Sequence, residues 1–424
     1  MLDRNMEISF QEIQMPSFIK PQSFFLDNGI KVHLLEAGEK ELCRVDLVFH
    51  AGSKMQNKPL QAILCNALLF EGTKDLKAET IHEQIDFYGA YTQLDINYDR
   101  SIVTLYTLNK YFNKVFPIFI NAIKNAVFPE QLFRVVLEQK KQRFIVNSDK
   151  VEFVAKNTFF NSIFKDHSYG SSICISDFDN ILKQDIINFH NHYYKNASPE
   201  VYIAGMMPAK GDLILNQFLG SWNMNIPFPI NQHIPSIIND KIHISKDGAL
   251  QSAIRIGRVT FNSHHKDYHQ LKFLSVVLGG YFGSRLMKNI REDKGLTYGI
   301  GASCVQQEES GYFCISTEVK GEATQLALEQ IYYELRQLRE EPISSKELDL
   351  VKRYVMGQIL KSADGPFAQV SLLKNLHMHG LGFEFYKEYE MMLDQLDSHR
   401  LQYLANKYLK KEDLCEIVVG NTSL

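Results

Sequence analysis

Fourteen histidines are the first side chains to weigh for metal binding or proton transfer. His264, His265 and His269 form the densest group, and His265 and His269 stand one helical turn apart. No glutamate sits at the offset a general base needs, and the neighbouring Asp267 marks a helix start, so these histidines read as surface or capping residues. His190/His192 and His377/His379 are i, i+2 pairs whose rings diverge on a helix, and they take the same reading. His82-Glu83 begins like H-E-x-x-H, but no histidine follows at the required place. No G-x-S-x-G elbow marks a serine nucleophile. Cys43, Cys65, Cys174, Cys304, Cys314 and Cys415 form no C-x-x-C pair, and most lie in apolar runs, as expected of reduced, buried thiols. Gly279-Gly280 could open a phosphate loop, but no strand precedes it and no Lys-Ser/Thr follows.

The elements that must position these residues fall into two similar sets. In the first half, Asp27-Asn28-Gly29 between Phe24–Leu26 and Ile30–Leu35 reads as a hairpin. A strand over Arg44–His50 ends at Ala51-Gly52-Ser53, and Leu60–Phe70 reads as a buried helix. A short helix (Ile81–Tyr88) precedes a strand pair (Tyr91–Tyr98, Ser101–Leu108) and two long helices (Tyr111–Val127, Pro129–Asn147), and a strand at Glu200–Gly205 closes the half. In the second half, Ser252–Val259 is a strand, Tyr268–Leu278 and Ser284–Glu292 are helices, and Tyr298–Gln306 and Gly311–Glu318 are a strand pair. Helices over Ala323–Arg339 and Ser344–Ser362 and a strand at Cys415–Gly420 complete it. The repeated order predicts two tandem homologous α+β domains, each a mainly antiparallel sheet packed with helices. They span residues 1–222 and 241–424, joined by a proline-containing linker over 223–240.

Composition narrows the function classes. The chain has 424 residues, 45% hydrophobic and 22% charged, which excludes a largely disordered protein. Its 46 basic and 49 acidic residues leave a net charge of −3 and give no reason to expect nucleic acid or an anionic membrane as partner. Met1–Gln14 has no continuous apolar stretch, and no run approaches the length of a membrane span. The expectation is a cytoplasmic protein, or a periplasmic one if a leader has been removed.

The segment Leu278-Gly279-Gly280-Tyr281-Phe282-Gly283-Ser284-Arg285-Leu286, running into Ile290-Arg291-Glu292-Asp293-Lys294-Gly295-Leu296-Thr297-Tyr298, resembles the second-half signature of the pitrilysin/insulinase family of zinc peptidases, which includes mitochondrial processing peptidase. Ala51-Gly52-Ser53, Phe70-Glu71-Gly72-Thr73 and Asp166-His167-Ser168-Tyr169-Gly170 agree with that family, so the resemblance covers both halves. It implies an H-x-x-E-H motif in the first half, where two imidazoles grip one zinc and the glutamate activates its water. Counting back from Phe70 puts Ile63 and Ala67 in the histidine positions and Asn66 in the general-base position. None of the three can do that work. Glu138 is the surviving third-ligand position, and alone it reads as a solvated helix glutamate.

The same resemblance assigns Arg291 and Tyr298 to an Arg/Tyr pair that donates to the oxyanion or the substrate carbonyl. Without it, Arg291 would read as a helix C-terminal cation and Tyr298 as a half-buried strand residue; Arg285 is given a structural role in the turn. A chain with the pair but no zinc motif resembles the non-catalytic subunit of bacterial heterodimeric members. That implies no cofactor bound by this chain and zinc in a partner subunit with an intact H-x-x-E-H motif. It also implies unfolded peptides bound as an added strand and no hydrolysis by this chain alone. A homodimer, a non-catalytic scaffold and, last, a self-sufficient metallopeptidase are the alternatives.

Overall fold

The computed structural model describes residues 13–165, 167–222 and 238–421. Residues 223–237 of the expected linker, and Asp166, lie outside the described residues.

The Asn-Gly turn forms as its sequence requires. β1 (Gln22–Phe25) and β2 (Lys31–Glu36) pair antiparallel around Gly29, whose φ of +83° suits a residue without a Cβ. With β3 (Leu42–Phe49), β4 (Tyr91–Ile96), β5 (Ser101–Leu108) and β6 (Glu200–Gly205) they make one sheet in the order β1-β2-β6-β3-β5-β4. The helices of this half are α1 (Gln61–Ala67), α2 (Ala78–Phe87), α3 (Phe112–Lys124), α4 (Glu130–Ser148), α5 (Val151–Ile163), α6 (Asp177–Asn180), α7 (Lys183–His190) and α8 (Gly211–Leu219).

The second half repeats the plan. β7 (Lys241–Ser245), β8 (Gln251–Thr260), β9 (Thr297–Gln306), β10 (Gly311–Lys320) and β11 (Cys415–Gly420) form a sheet in the order β7-β11-β8-β10-β9. Around it lie α9 (Tyr268–Ser275), α10 (Thr324–Glu340), α11 (Ser345–Ser362), α12 (Gly365–His377), α13 (Glu384–Gln395) and α14 (Ser398–Tyr408). Each sheet contains one parallel pair, β2 with β6 and β7 with β11, among antiparallel neighbours. No described helix is long and apolar enough to cross a membrane.

Strand β3 shows how the layers are built. Val45, Leu47 and Phe49 point into a core shared with α1, α3 and α7, while Val48 on the opposite face packs with Tyr202, Val370 and Leu373. That second face is covered by α12, which belongs to the other half. The exchange is reciprocal: α5 of the first half lies on β8 and β11 of the second, where Ala155, Phe159 and Ile163 meet Ala253, Ile417 and Val419. Fully burying a large apolar side chain contributes about 1.5–3 kcal/mol, so each half is held by the other's helix.

Three expectations change. α1 is shorter than Leu60–Phe70, because Leu60 takes a left-handed φ of +74° and the chain turns after Ala67. The sequence reading did not anticipate α5, α12 or β7. His190 is not a surface residue: it is buried, and its Nε2 bonds the Ile123 carbonyl at 2.7 Å.

Candidate functional site

The first-half motif is an apolar helix. Ile63 packs against the core and offers no lone pair, and neither does Ala67. Asn66 is buried, with its amide donating to Ser101 Oγ at 2.8 Å and to the Asp95 carbonyl at 3.4 Å. Cys65 beside it is fully buried, and burial raises its thiol pKa well above the ordinary value, which suppresses the thiolate. Glu138 is exposed on α4 and accepts a hydrogen bond from Gln142, one turn on, at 2.7 Å. These residues do not fit a zinc ion. Among the described residues no group of three or more His, Cys, Asp or Glu side chains is placed to hold a metal.

The second-half motif is built around close backbone contact. A Cβ on Gly279 would come within 2.4 Å of the Ala302 amide nitrogen, so only glycine lets this helix end lie against β9. Arg285 makes two 2.8 Å bonds to the Glu347 carboxylate and ties the turn to α11. Arg291 lies in the last, widened turn over Met287–Asp293, with its guanidinium 4.7 Å from the Phe282 ring centroid. Among the described residues Arg291 has no carboxylate partner, which leaves its N–H groups available to an outside acceptor.

Tyr298 is 94% exposed, not half-buried. Strict alternation along β9 would put it on the same face as Ile300, Ala302 and Cys304, which point into the core. A β-bulge prevents that. Thr297 pairs with Val319 and Ile300 with Thr317, so Tyr298 and Gly299 together stand opposite Glu318. The extra residue turns the phenol outward. Tyr298 then lines a groove of about 560 Å³, together with Glu152 of α5, Arg255 of β8 and Glu318 of β10. Arg291 is not among the groove's lining residues.

A polar seam that the sequence reading missed sets the two halves against each other. Lys54 reaches Asp99 and Glu308 at 2.9 Å and Glu309 at 3.2 Å. Arg100 pairs with Glu308, and Tyr169 donates to Asp99 at 2.6 Å. His167 meets Glu309 at 2.8 Å. Burial opposes charge on Lys54, but Asp99 and Glu308 outweigh it and raise its pKa; Glu308 is likewise lowered against its burial by Arg100 and Lys54. The visible signal was two charged turns at equivalent places, Asp99-Arg100 and Glu308-Glu309, each between the last two strands of its sheet order. The histidines weighed as ligands are held elsewhere. His265 stacks on Phe261 and accepts from the Asp267 amide; His269 packs on Phe385 and Tyr389; His264 bonds the His379 carbonyl. His377 bonds the Tyr202 hydroxyl at 3.1 Å.

Comparison with known proteins agrees with this architecture. The family profile described as "Insulinase (Peptidase family M16)" matches residues 31–175, and "Peptidase M16 inactive domain" matches residues 180–355. A Rickettsia felis protein named "Uncharacterized zinc protease" is 20% identical over 80% of this chain and 83% of its own length. The "Non-peptidase homolog YmxG" of Helicobacter pylori is 21% identical over 92% of this chain and 90% of its own. The crystal structure of a peptidase M16 inactive domain from Pseudomonas fluorescens superposes with a TM-score of 0.84 at 21% identity, covering 95% of this chain and 98% of that one. The two profile matches take up about three quarters of the sequence, and the chain therefore belongs to peptidase family M16.

Proposed function

We propose that this chain is the zinc-less subunit of a heteromeric M16 peptidase, presenting Arg291 and Tyr298 to a scissile peptide held at the zinc of a partner subunit. The observation that carries the reading is the 94% exposure of Tyr298 beside an open groove. A tyrosine kept for packing would be covered; one kept as a donor must face the substrate. In this role the phenol O–H and the guanidinium N–H groups donate to the oxygen that gains negative charge as the tetrahedral intermediate forms. Unfolded peptides are the substrates, adding as a strand to an open sheet edge. β9 is the outer strand of its sheet, and Gly299 leaves its surface bare. The chain holds no metal of its own, and the partner supplies the intact H-x-x-E-H motif.

The test is cleavage of a quenched, unstructured peptide by the purified chain, alone and co-expressed with an M16 relative that carries H-x-x-E-H. Cleavage is expected only in the mixture. Arg291→Ala or Tyr298→Phe is expected to cut kcat by about 10²–10³, the cost of one lost oxyanion donor. Chelator-sensitive cleavage by the single chain would overturn the reading, as would a mixture indifferent to both substitutions.

A further inference from the structure

We propose that Thr297 and Thr317 are positioning residues for Tyr298: their hydroxyls lock the β9 bulge that turns its phenol out of the core. The donor role of Tyr298 rests on the reading above; the lock is a separate claim about geometry.

A bulge leaves backbone groups without their ladder partners, and each such group must be satisfied in another way. Here two hydroxyls do it. Thr297 Oγ1 donates to the Glu318 carbonyl at 2.6 Å and accepts from the Gly299 amide at 3.1 Å. Thr317 Oγ1 donates to the Gly299 carbonyl at 2.9 Å and lies 3.0 Å from Thr297 Oγ1. The Gly299 amide and carbonyl and the Glu318 carbonyl, which these hydroxyls bond, lie at the irregularity itself, where Tyr298 and Gly299 of β9 face Glu318 alone on β10. The two hydroxyls therefore hold the irregular register in place of the missing ladder.

Neither hydroxyl has another task in view. Thr317 is buried and Thr297 half-buried, and valine would fill either site with nearly the same shape. Without the hydroxyls the alternative is a regular ladder with the Tyr298 side chain on the same face as Ile300. The exposed phenol is thus set by two side chains that touch no substrate.

The experiment compares Thr297→Val, Thr317→Val and Thr297→Ser with the parent chain. Hydrogen exchange at the Gly299 amide is read first, then site-resolved nitration of Tyr298 by mass spectrometry. Thr297→Val is expected to speed exchange at Gly299 about fivefold, as loss of one hydrogen bond of ordinary net strength allows. Both valine variants are expected to slow nitration of Tyr298, and Thr297→Ser to restore parental values because it keeps the hydroxyl. Unfolded variants are recognised by global exchange, and the serine variant then carries the comparison. Unchanged exchange and nitration in folded valine variants would overturn the lock. In the two-subunit cleavage assay the valine variants lower kcat and leave KM unchanged. If the lock holds but cleavage is indifferent to it, the donor reading of Tyr298 fails and the geometry stands.

Discussion

Lys374 Nζ lies 2.8 Å from Asp46 Oδ2, an ammonium on α12 of the second half against a carboxylate inside the sheet of the first, and Asp46 has no exposure to solvent. Arg44 forks onto the same carboxylate at 2.9 and 2.8 Å, and Thr104 donates to it at 2.7 Å. Burial pushes the Asp46 pKa up, but Lys374 and Arg44 outweigh it and hold it below the ordinary carboxylate value. Removing one partner of a buried, hydrogen-bonded pair costs about 3–5 kcal/mol, because the other charge is left uncompensated. Arg44 and Thr104 still hold Asp46 when Lys374 is gone, so Lys374→Ala is expected to lower the unfolding free energy by less than that, about 1.5–3 kcal/mol, the worth of a hydrogen bond to a charged group. The lone tryptophan, Trp222, is buried in the first-half core, so its fluorescence in urea reads whether a change on α12 loosens the half that α12 covers.

Tyr298→Phe separates function from folding. A side chain this exposed contributes little to stability, and its substitution is expected to move the unfolding free energy by less than about 0.5 kcal/mol. A thermal melt matching the parent, alongside the drop in two-subunit cleavage, is the expected result. A destabilised variant would show that the phenol holds the fold.

Acid should weaken the protein through its buried histidines. Burial, with His377 and Lys31 adding to it, lowers the His33 pKa to about 4; burial lowers that of His190 to about 4 against the pull of the Ile123 carbonyl. The unfolded chain protonates these rings near 6.5 and the folded one does not, so stability is full above 6.5 and falls as pH drops toward 4. Below about 4 both states carry the proton and the loss from these groups stops. The more deeply buried His190 accounts for about 3 kcal/mol over the window, at roughly 1.4 kcal/mol per pKa unit, and His33, partly screened by solvent, for less. Urea midpoints at pH 7 and pH 5 should show the decline, and a folded His190→Gln variant should show a shallower one.

Two glycines of the same motif should behave differently. A Cβ at Gly279 meets the Ala302 backbone at 2.4 Å, whereas one at Gly283 meets only the movable Tyr281 ring at 2.9 Å. Gly279→Ala is expected to cost about 1–3 kcal/mol, as overpacked sites do, and Gly283→Ala distinctly less. Denaturant unfolding of the two variants distinguishes them.

The sequence was most legible where one element carries its own pattern. Cys415–Gly420 forms β11 with the expected bounds, because a short β-branched run buried on both faces reads as a central strand. The degenerate motif at Ile63, Asn66 and Ala67 was visible because residue type alone decides whether a lone pair exists. α5 and α12 were invisible for the opposite reason. Their partners lie in the other half of the chain, and α5 carries buried residues such as Phe159 and Phe160 without one clean apolar stripe. The orientation of Tyr298 was also hidden, since period-2 alternation assigns it to the core side and only the bulge reverses that.

The crossed helices bear on how the protein is made. During synthesis the first sheet is complete once β6 emerges, yet α12, which covers its second face, follows more than 150 residues later. At ordinary translation rates that is roughly 10–30 s. For that interval Leu35, Val48, Tyr202 and Ala204 form a bare apolar surface on a nascent chain. The second face of the first half is therefore completed only when its own C-terminal half arrives.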